Sequence, residues 1–138
     1  MFRVLALDHV VLRVADAERS LSFYRDFLGC AVERRLDEIG LIQLRAGSAL
    51  IDLVPIDGEL GRKGGAAPGR EGRNMDHFCL RVEPFDESAI RRRLGDIDVA
   101  VSDTARRYGA DGFGPSIYIE DPDGNIVELK GPPEPVGT

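Results

Sequence analysis

The chain has 138 residues, a formal net charge of −6 and a sequence pI near 4.9, so its surface is acidic. An acidic surface argues against nucleic acid as a partner, because phosphate binding needs a basic one. No apolar run approaches the roughly 20 residues that span a bilayer, and the first residues do not resemble a signal peptide. We therefore expect a cytoplasmic protein without a membrane partner, with Cys30 and Cys79 reduced.

The first half of the chain reads as one strand, one helix and three further strands. Residues 7–14 alternate as a strand, with His9 on the face opposite the clearly apolar one. Asp16 is a suitable N-cap for the helix that follows, and Gly29 supplies its C-terminal stop. The three further strands are predicted over residues 31–36, 41–45 and 49–55.

The second half repeats this order. A strand over residues 75–82 precedes a helix over residues 86–94. The run DPDGN at residues 121–125 predicts a tight turn, because Pro presets φ and Gly or Asn tolerates positive φ. Strands are predicted over residues 99–102, 116–120 and 125–130, and a loop over residues 109–114.

The two halves are copies of one unit. LDHVVLRV at residues 7–14 aligns with MDHFCLRV at residues 75–82, and IDL around Asp52 aligns with VEL around Glu128. Each copy thus opens with a histidine and closes with a carboxylate. We predict an α+β fold of two βαβββ modules. Their boundaries are a first module over 1–57, a Gly-rich linker over 58–74, a second module over 75–131 and a tail, poorly ordered, over 132–138.

The histidines and carboxylates of the repeat are candidate metal ligands. His9 and His77 are the two histidines of the whole chain, and Asp52 and Glu128 interrupt otherwise apolar strands. A carboxylate in such a strand is costly unless it is paired or binds a metal. The alternative is a salt bridge to Arg13 or Arg81. Two imidazoles and two carboxylates suit Zn²⁺, Ni²⁺, Co²⁺, Mn²⁺ or Fe²⁺.

These motifs together resemble the vicinal oxygen chelate superfamily, which includes glyoxalase I, bleomycin-resistance proteins and extradiol dioxygenases. The resemblance rests on the two DH motifs, on SFY and FLG at residues 22–24 and 27–29, and on the DPDGN turn. It implies that the modules form a curled mixed-sheet cup around a divalent metal, often completed by a homodimer. The implied ligands are His9, His77 and Glu128, with Asp52 at the fourth position. Because Asp52 is shorter than the Glu of glyoxalase I, direct ligation, contact through water and a three-ligand site all stay open.

Within the superfamily, glyoxalase I is the nearest resemblance. Arg13 falls where that enzyme anchors the glutathione carboxylate, and Arg73 resembles a second anion-binding arginine. Arg73 lies in the linker, where a flexible solvated connector is the alternative to an anion clamp. The enzyme's Asn after the metal-binding carboxylate is missing after Asp52. The resemblance leaves open whether the small-molecule substrate is a thiol conjugate.

The leading hypothesis for function is a lyase or isomerase that moves a proton next to a carbonyl. The metal would polarise that carbonyl, with Glu128 as the preferred catalytic base and Asp52 as the alternative. Two other functional classes remain open. One is an extradiol-type ring-cleaving dioxygenase that uses Fe²⁺, and the other is a non-catalytic resistance protein that sequesters its ligand.

Overall fold

The computed structural model describes residues 1–135, which form a first compact unit over residues 1–74 and a second that begins at Met75. Each unit contains one βαβββ module with a four-stranded mixed sheet, so the predicted α+β class is confirmed. No helix within residues 1–135 has the length and apolar character to cross a membrane. Of the tail, residues 136–138 lie outside the described part, while Glu134 pairs with Arg106 at 2.6 Å.

The first unit places its opening strand beside its closing strand. Asp16 caps the helix as predicted, since its carboxylate accepts from the backbone N–H groups of Glu18 and Arg19. The sheet order is β1-β4-β3-β2, with β1 parallel to β4 and the other pairs antiparallel. The elements are β1 His9–Val14, α1 Ala17–Leu21, a π-helix Ser22–Phe27, β2 Val32–Leu36, β3 Leu41–Ala46 and β4 Ala49–Pro55.

The second unit repeats this topology, with sheet order β5-β8-β7-β6 and β5 parallel to β8. The predicted turn before the last strand is present, because Asp121 Oδ1 accepts from the backbone N–H of Asp123 and of Asn125. This network fixes the start of the strand that carries Glu128. The elements are β5 Phe78–Arg81, α2 Glu87–Asp96, β6 Ala105–Gly109, β7 Gly112–Glu120 and β8 Ile126–Lys130.

Strand alternation gives each sheet one apolar and one polar face. The apolar face supplies the core, and its residues in the first unit are Leu12, Val14, Ile42, Leu44, Ile51 and Leu53. On the opposite face of that sheet lie His9, Gln43 and Asp52. In the second unit the corresponding polar face carries Tyr118 and Glu128. The candidate ligands therefore share the sheet face that is not used for the core.

Two predictions in the second unit are wrong. Residues 99–102 form no strand, and Val101 makes a single bridge to Ile119. Residues 109–114, predicted as a loop, instead contain the turn and inner ends of the β6–β7 hairpin. The glycines that suggested a loop make room for the buried side chain of Lys130, because a Cβ at Gly109 or Gly114 would lie about 3 Å from its atoms.

The linker folds back on the first unit. It contains a 3₁₀ turn at Gly61–Gly64, and the Arg13 guanidinium donates to three of its carbonyls: Gly61 O (3.0 Å), Ala66 O (2.9 Å) and Gly65 O (2.6 Å). Asn74, at its end, donates through Nδ2 to Arg13 O at 3.0 Å. The guanidinium of Arg13 therefore holds the first half of the linker, and its backbone holds the last residue.

Candidate functional site

The first unit pairs His9 with Asp52. In the β1–β4 register Val11 lies opposite Asp52, so His9, two residues earlier, reaches the carboxylate diagonally. His9 Nε2 lies 4.0 Å from Asp52 Oδ2, while Nδ1 lies 2.7 Å from Asp8 Oδ2. The hydrogen bond to Asp8, and then the charge of Asp52, raise the pKa of His9. The ring is thus held between two carboxylates.

Asp52 is buried and incompletely satisfied. Its side chain is 5% exposed, and Oδ2 accepts from Gln43 Nε2 at 3.1 Å. Oδ1 is buried and has no hydrogen-bond partner, the one such side-chain atom within the described residues. An unsatisfied buried acceptor costs about 1–3 kcal/mol, and more when it is charged. The unpartnered oxygen therefore indicates that a further group completes this site.

The second unit repeats the pair with a longer carboxylate. His77 Nε2 lies 3.5 Å from Glu128 Oε1, and His77 Nδ1 lies 2.6 Å from Asp76 Oδ2. Glu128 is 9% exposed at its side chain, whereas the His77 ring is 36% exposed. In both copies a nearly buried carboxylate therefore faces a histidine that remains accessible from solvent.

Tyr118 belongs to the second pair and was missed from sequence. It lies directly opposite Glu128 in the β7–β8 register, as Gln43 lies opposite Asp52 in the first unit. Its ring meets the His77 ring edge-on at 5.4 Å, and the Arg107 guanidinium lies 4.4 Å from its centroid. Burial, and then the charge of Glu128, raise the pKa of the Tyr118 hydroxyl.

The repeat itself contains a sequence signal for the polar residues next to each His–carboxylate pair. Asp8 and Asp76 are identical residues within the aligned motifs, directly before the histidines. Gln43 and Tyr118 precede the carboxylates by nine and ten residues, within the preceding strand of each copy. Aligning β3 with β7 would have identified Gln43 and Tyr118 as equivalent polar residues.

The salt-bridge alternative for the carboxylates is wrong. Arg13 donates its guanidinium N–H groups to linker carbonyls, and Arg81 pairs with Asp111. Neither arginine bridges to Asp52 or Glu128. Anion binding by Arg13 stays a prediction, as does that by Arg73, which is exposed in the linker.

The structure brings the predicted ligands together as two pairs. Within residues 1–135 no three His, Cys, Asp or Glu side chains are grouped so that they would hold a metal. The four-ligand set therefore stays a prediction. The donors in each pair nevertheless suit a divalent metal, because imidazole nitrogen and carboxylate oxygen bind such ions and Asp52 Oδ1 has no other partner.

The family follows from comparison with known proteins. A family model described as the glyoxalase/bleomycin resistance protein/dioxygenase superfamily matches residues 6–129. The chain belongs to this superfamily. Virulence protein STM3117 of Salmonella typhimurium is 31% identical to it, over 90% of this chain and 82% of that protein. The mitochondrial methylmalonyl-CoA epimerase of Mus musculus is 30% identical, over 90% of this chain and 71% of its own.

A solved structure has the same fold. Integron cassette protein VCH_CASS1, from the mobile metagenome of V. cholerae, superposes with a TM-score of 0.73 at 27% identity. The match covers 95% of this chain and 98% of the cassette protein. The βαβββ topology of both units is thus that of an established superfamily fold.

Proposed function

We propose that this superfamily member is a divalent-metal-dependent isomerase or lyase that moves a proton next to the carbonyl of a small substrate. The proposal is carried by the unsatisfied Oδ1 of Asp52, in a His–carboxylate pair that the second unit repeats. The similarity to an epimerase supports it, because epimerisation changes the configuration at one carbon. A lactoylglutathione lyase-type reaction on a thiol conjugate is the variant that the sequence resemblance at Arg13 favours, and it would require that guanidinium to leave the linker carbonyls to which it donates.

We propose His9, Asp52, His77 and Glu128 as the ligands of one metal. When bound, a divalent ion would act as a Lewis acid toward the substrate carbonyl. Zn²⁺, Ni²⁺, Co²⁺, Mn²⁺ and Fe²⁺ all suit this donor set. Asp52 is the more fixed of the two carboxylates, because one of its oxygens accepts a hydrogen bond from Gln43.

Glu128 is the proposed base. Its longer side chain reaches farther than that of Asp52, and Tyr118 lies opposite it in the β7–β8 register with a hydroxyl whose pKa is raised by burial and then by the Glu128 charge. Glu128 would remove the proton from the carbon next to the carbonyl and return it to the same or the neighbouring carbon. The protein would work in the cytoplasm, where the free thiols of Cys30 and Cys79 persist.

The first test is elemental analysis of the purified protein, followed by substrate assays. We expect stoichiometric metal and turnover of methylmalonyl-CoA or of the hemithioacetal of methylglyoxal and glutathione. Loss of deuterium from the carbon next to the carbonyl would report proton removal even without net product. Metal-independent ligand binding without turnover would favour the sequestering class. Ring cleavage of a catechol by the Fe²⁺ form would favour the dioxygenase class.

The second test concerns the ligands and the proposed homodimer. We expect His9→Ala and His77→Ala each to lose tight metal binding, since apparent binding energies of about 10 kcal/mol or more need the full donor set. If two copies share each site, mixing the variants should restore roughly a quarter of the sites when chains pair at random. No restoration would mean that each chain supplies its own four ligands. Full metal content in either single variant would refute the ligand set.

A further inference from the structure

Each histidine of the repeat contacts the aspartate that precedes it. His9 Nδ1 lies 2.7 Å from Asp8 Oδ2, and His77 Nδ1 lies 2.6 Å from Asp76 Oδ2. Neighbouring side chains within a strand point to opposite faces, which would separate an Asp from the next residue. Here β1 begins at His9 and β5 at Phe78, so both aspartates precede the regular strand. Each aspartate thus stands just before the regular strand, and its carboxylate lies against the ring of the histidine that follows.

The consequence lies in which ring nitrogen carries the proton. A carboxylate accepts hydrogen bonds only, so Nδ1 must donate to it, and the lone pair of the neutral ring is then on Nε2. In both units Nε2 is the nitrogen that faces the buried carboxylate, at 4.0 Å from Asp52 and 3.5 Å from Glu128. Nε2 is thereby the atom left with a lone pair for a metal.

We propose that Asp8 and Asp76 are positioning residues that hold the two histidines as Nδ1–H tautomers with Nε2 ready to bind metal. The part of this inference that concerns metal rests on the proposed function. Both aspartates are strongly exposed, at 91% and 96% of the side chain, so their contribution to folding is small. A weak hydrogen bond is nevertheless enough to choose between two tautomers of similar free energy.

The chain offers a direct spectroscopic test, because it contains two histidines and each serves as the internal control for the other. Two-bond ¹H–¹⁵N spectra of the metal-free protein, at about pH 8.5 and thus well above the ordinary histidine pKa of about 6.5, report which nitrogen is protonated. We expect Nδ1–H for both rings in the unmodified protein. Asp8→Ala should shift His9 toward the Nε2–H tautomer and leave His77 unchanged, and Asp76→Ala should do the converse.

The conservative variants separate orientation from charge. Asp8→Asn and Asp76→Asn keep an oxygen that accepts from Nδ1, so they should retain the wild-type tautomer. A wild-type ring with its proton on Nε2, or an unchanged tautomer in the Ala variants, would overturn the proposal.

Zinc affinity is the second measurement. We expect each Ala variant to bind zinc about 10–100-fold more weakly than the unmodified protein, with a smaller loss in the Asn variants. Unchanged zinc affinity in both Ala variants would overturn the metal-positioning role. A wild-type protein that shows the expected tautomers but binds no metal would support the orientation by Asp8 and Asp76 and refute the proposed function instead.

Discussion

The substitution Asp52→Asn in the metal-free protein tests whether the first pair is built to receive a further group. Asp52 presents an unpartnered buried oxygen and accepts one hydrogen bond from Gln43. Removing the charge relieves only the additional penalty of a charged group, on the order of 2 kcal/mol, because the amide nitrogen of Asn then occupies the buried position of Oδ1 and also lacks a partner. The amide oxygen still accepts from Gln43, but a neutral hydrogen bond replaces a charge-assisted one, which destabilises the variant by about 1 kcal/mol. We therefore expect the variant to be about 1 kcal/mol more stable than the unmodified protein.

The measurement is thermal or urea unfolding in a buffer with a chelator. A gain of about 1 kcal/mol in the free energy of unfolding corresponds to a rise in Tm of about 3 °C for a chain of this size. Glu128→Gln is the matched control. Within residues 1–135 the only buried side-chain oxygen without a partner belongs to Asp52, so removing the charge of Glu128 relieves no comparable penalty. In saturating zinc the unmodified protein should be the more stable of the two, since metal binding stabilises it more than it stabilises Asp52→Asn.

A metal-free Asp52→Asn variant that is less stable than the unmodified protein would refute this reasoning. It would mean that the charge of Asp52 is stabilised in the metal-free protein, by His9 or by a partner of Oδ1, and the unpartnered oxygen would no longer support a metal. Equal gains from zinc in the two proteins would show that Asp52 is not a ligand.

Three further predictions concern the second unit. Glu128→Gln should keep the fold and most of the metal but lower turnover by about 10²–10⁴, which is a larger loss than we expect for Asp52→Asn. Full activity of Glu128→Gln would mean that another residue is the base. Tyr118→Phe should lower turnover about tenfold with the metal content unchanged, because it removes the hydroxyl that could donate to the proposed base opposite it. Normal turnover would leave Tyr118 with a packing role only. Burial, and then the charge of Glu128, raise the pKa of Cys79 to about 11 from an ordinary value near 9. In a Cys30→Ser background, iodoacetamide should therefore modify Cys79 about tenfold more slowly at pH 8 than it modifies a free cysteine, because the thiolate is about 100-fold rarer but more nucleophilic at the higher pKa. An ordinary rate would contradict the raised pKa of the thiol.

Much of the fold could be predicted because strand alternation and turn residues are local signals. The strands around His9, Asp52 and Glu128 lie where their period-2 pattern indicates, and Asp16 caps the first helix. The β6–β7 hairpin could not be predicted, since its glycines serve the side chain of Lys130 from another strand. The reason for those glycines is tertiary, so no local rule reveals it.

The candidate site was predictable only in part. The repeat identified the two histidines and the two carboxylates, and the structure pairs them within each unit. The partners Gln43 and Tyr118 depend on strand register, which a single strand does not encode. The salt-bridge alternative failed for a related reason, because the linker carbonyls that engage Arg13 are remote in sequence.

The linker held by Arg13 has a consequence for chain entropy. A Gly-rich segment over residues 58–74 would behave as a flexible tether if it were free, and ordering it would then oppose any later assembly step. Here three guanidinium hydrogen bonds and the Asn74 side chain fix it against β1 of its own unit. Part of the conformational freedom of the connector is therefore lost when the first unit folds, and that part of the cost does not fall on a later binding or assembly step.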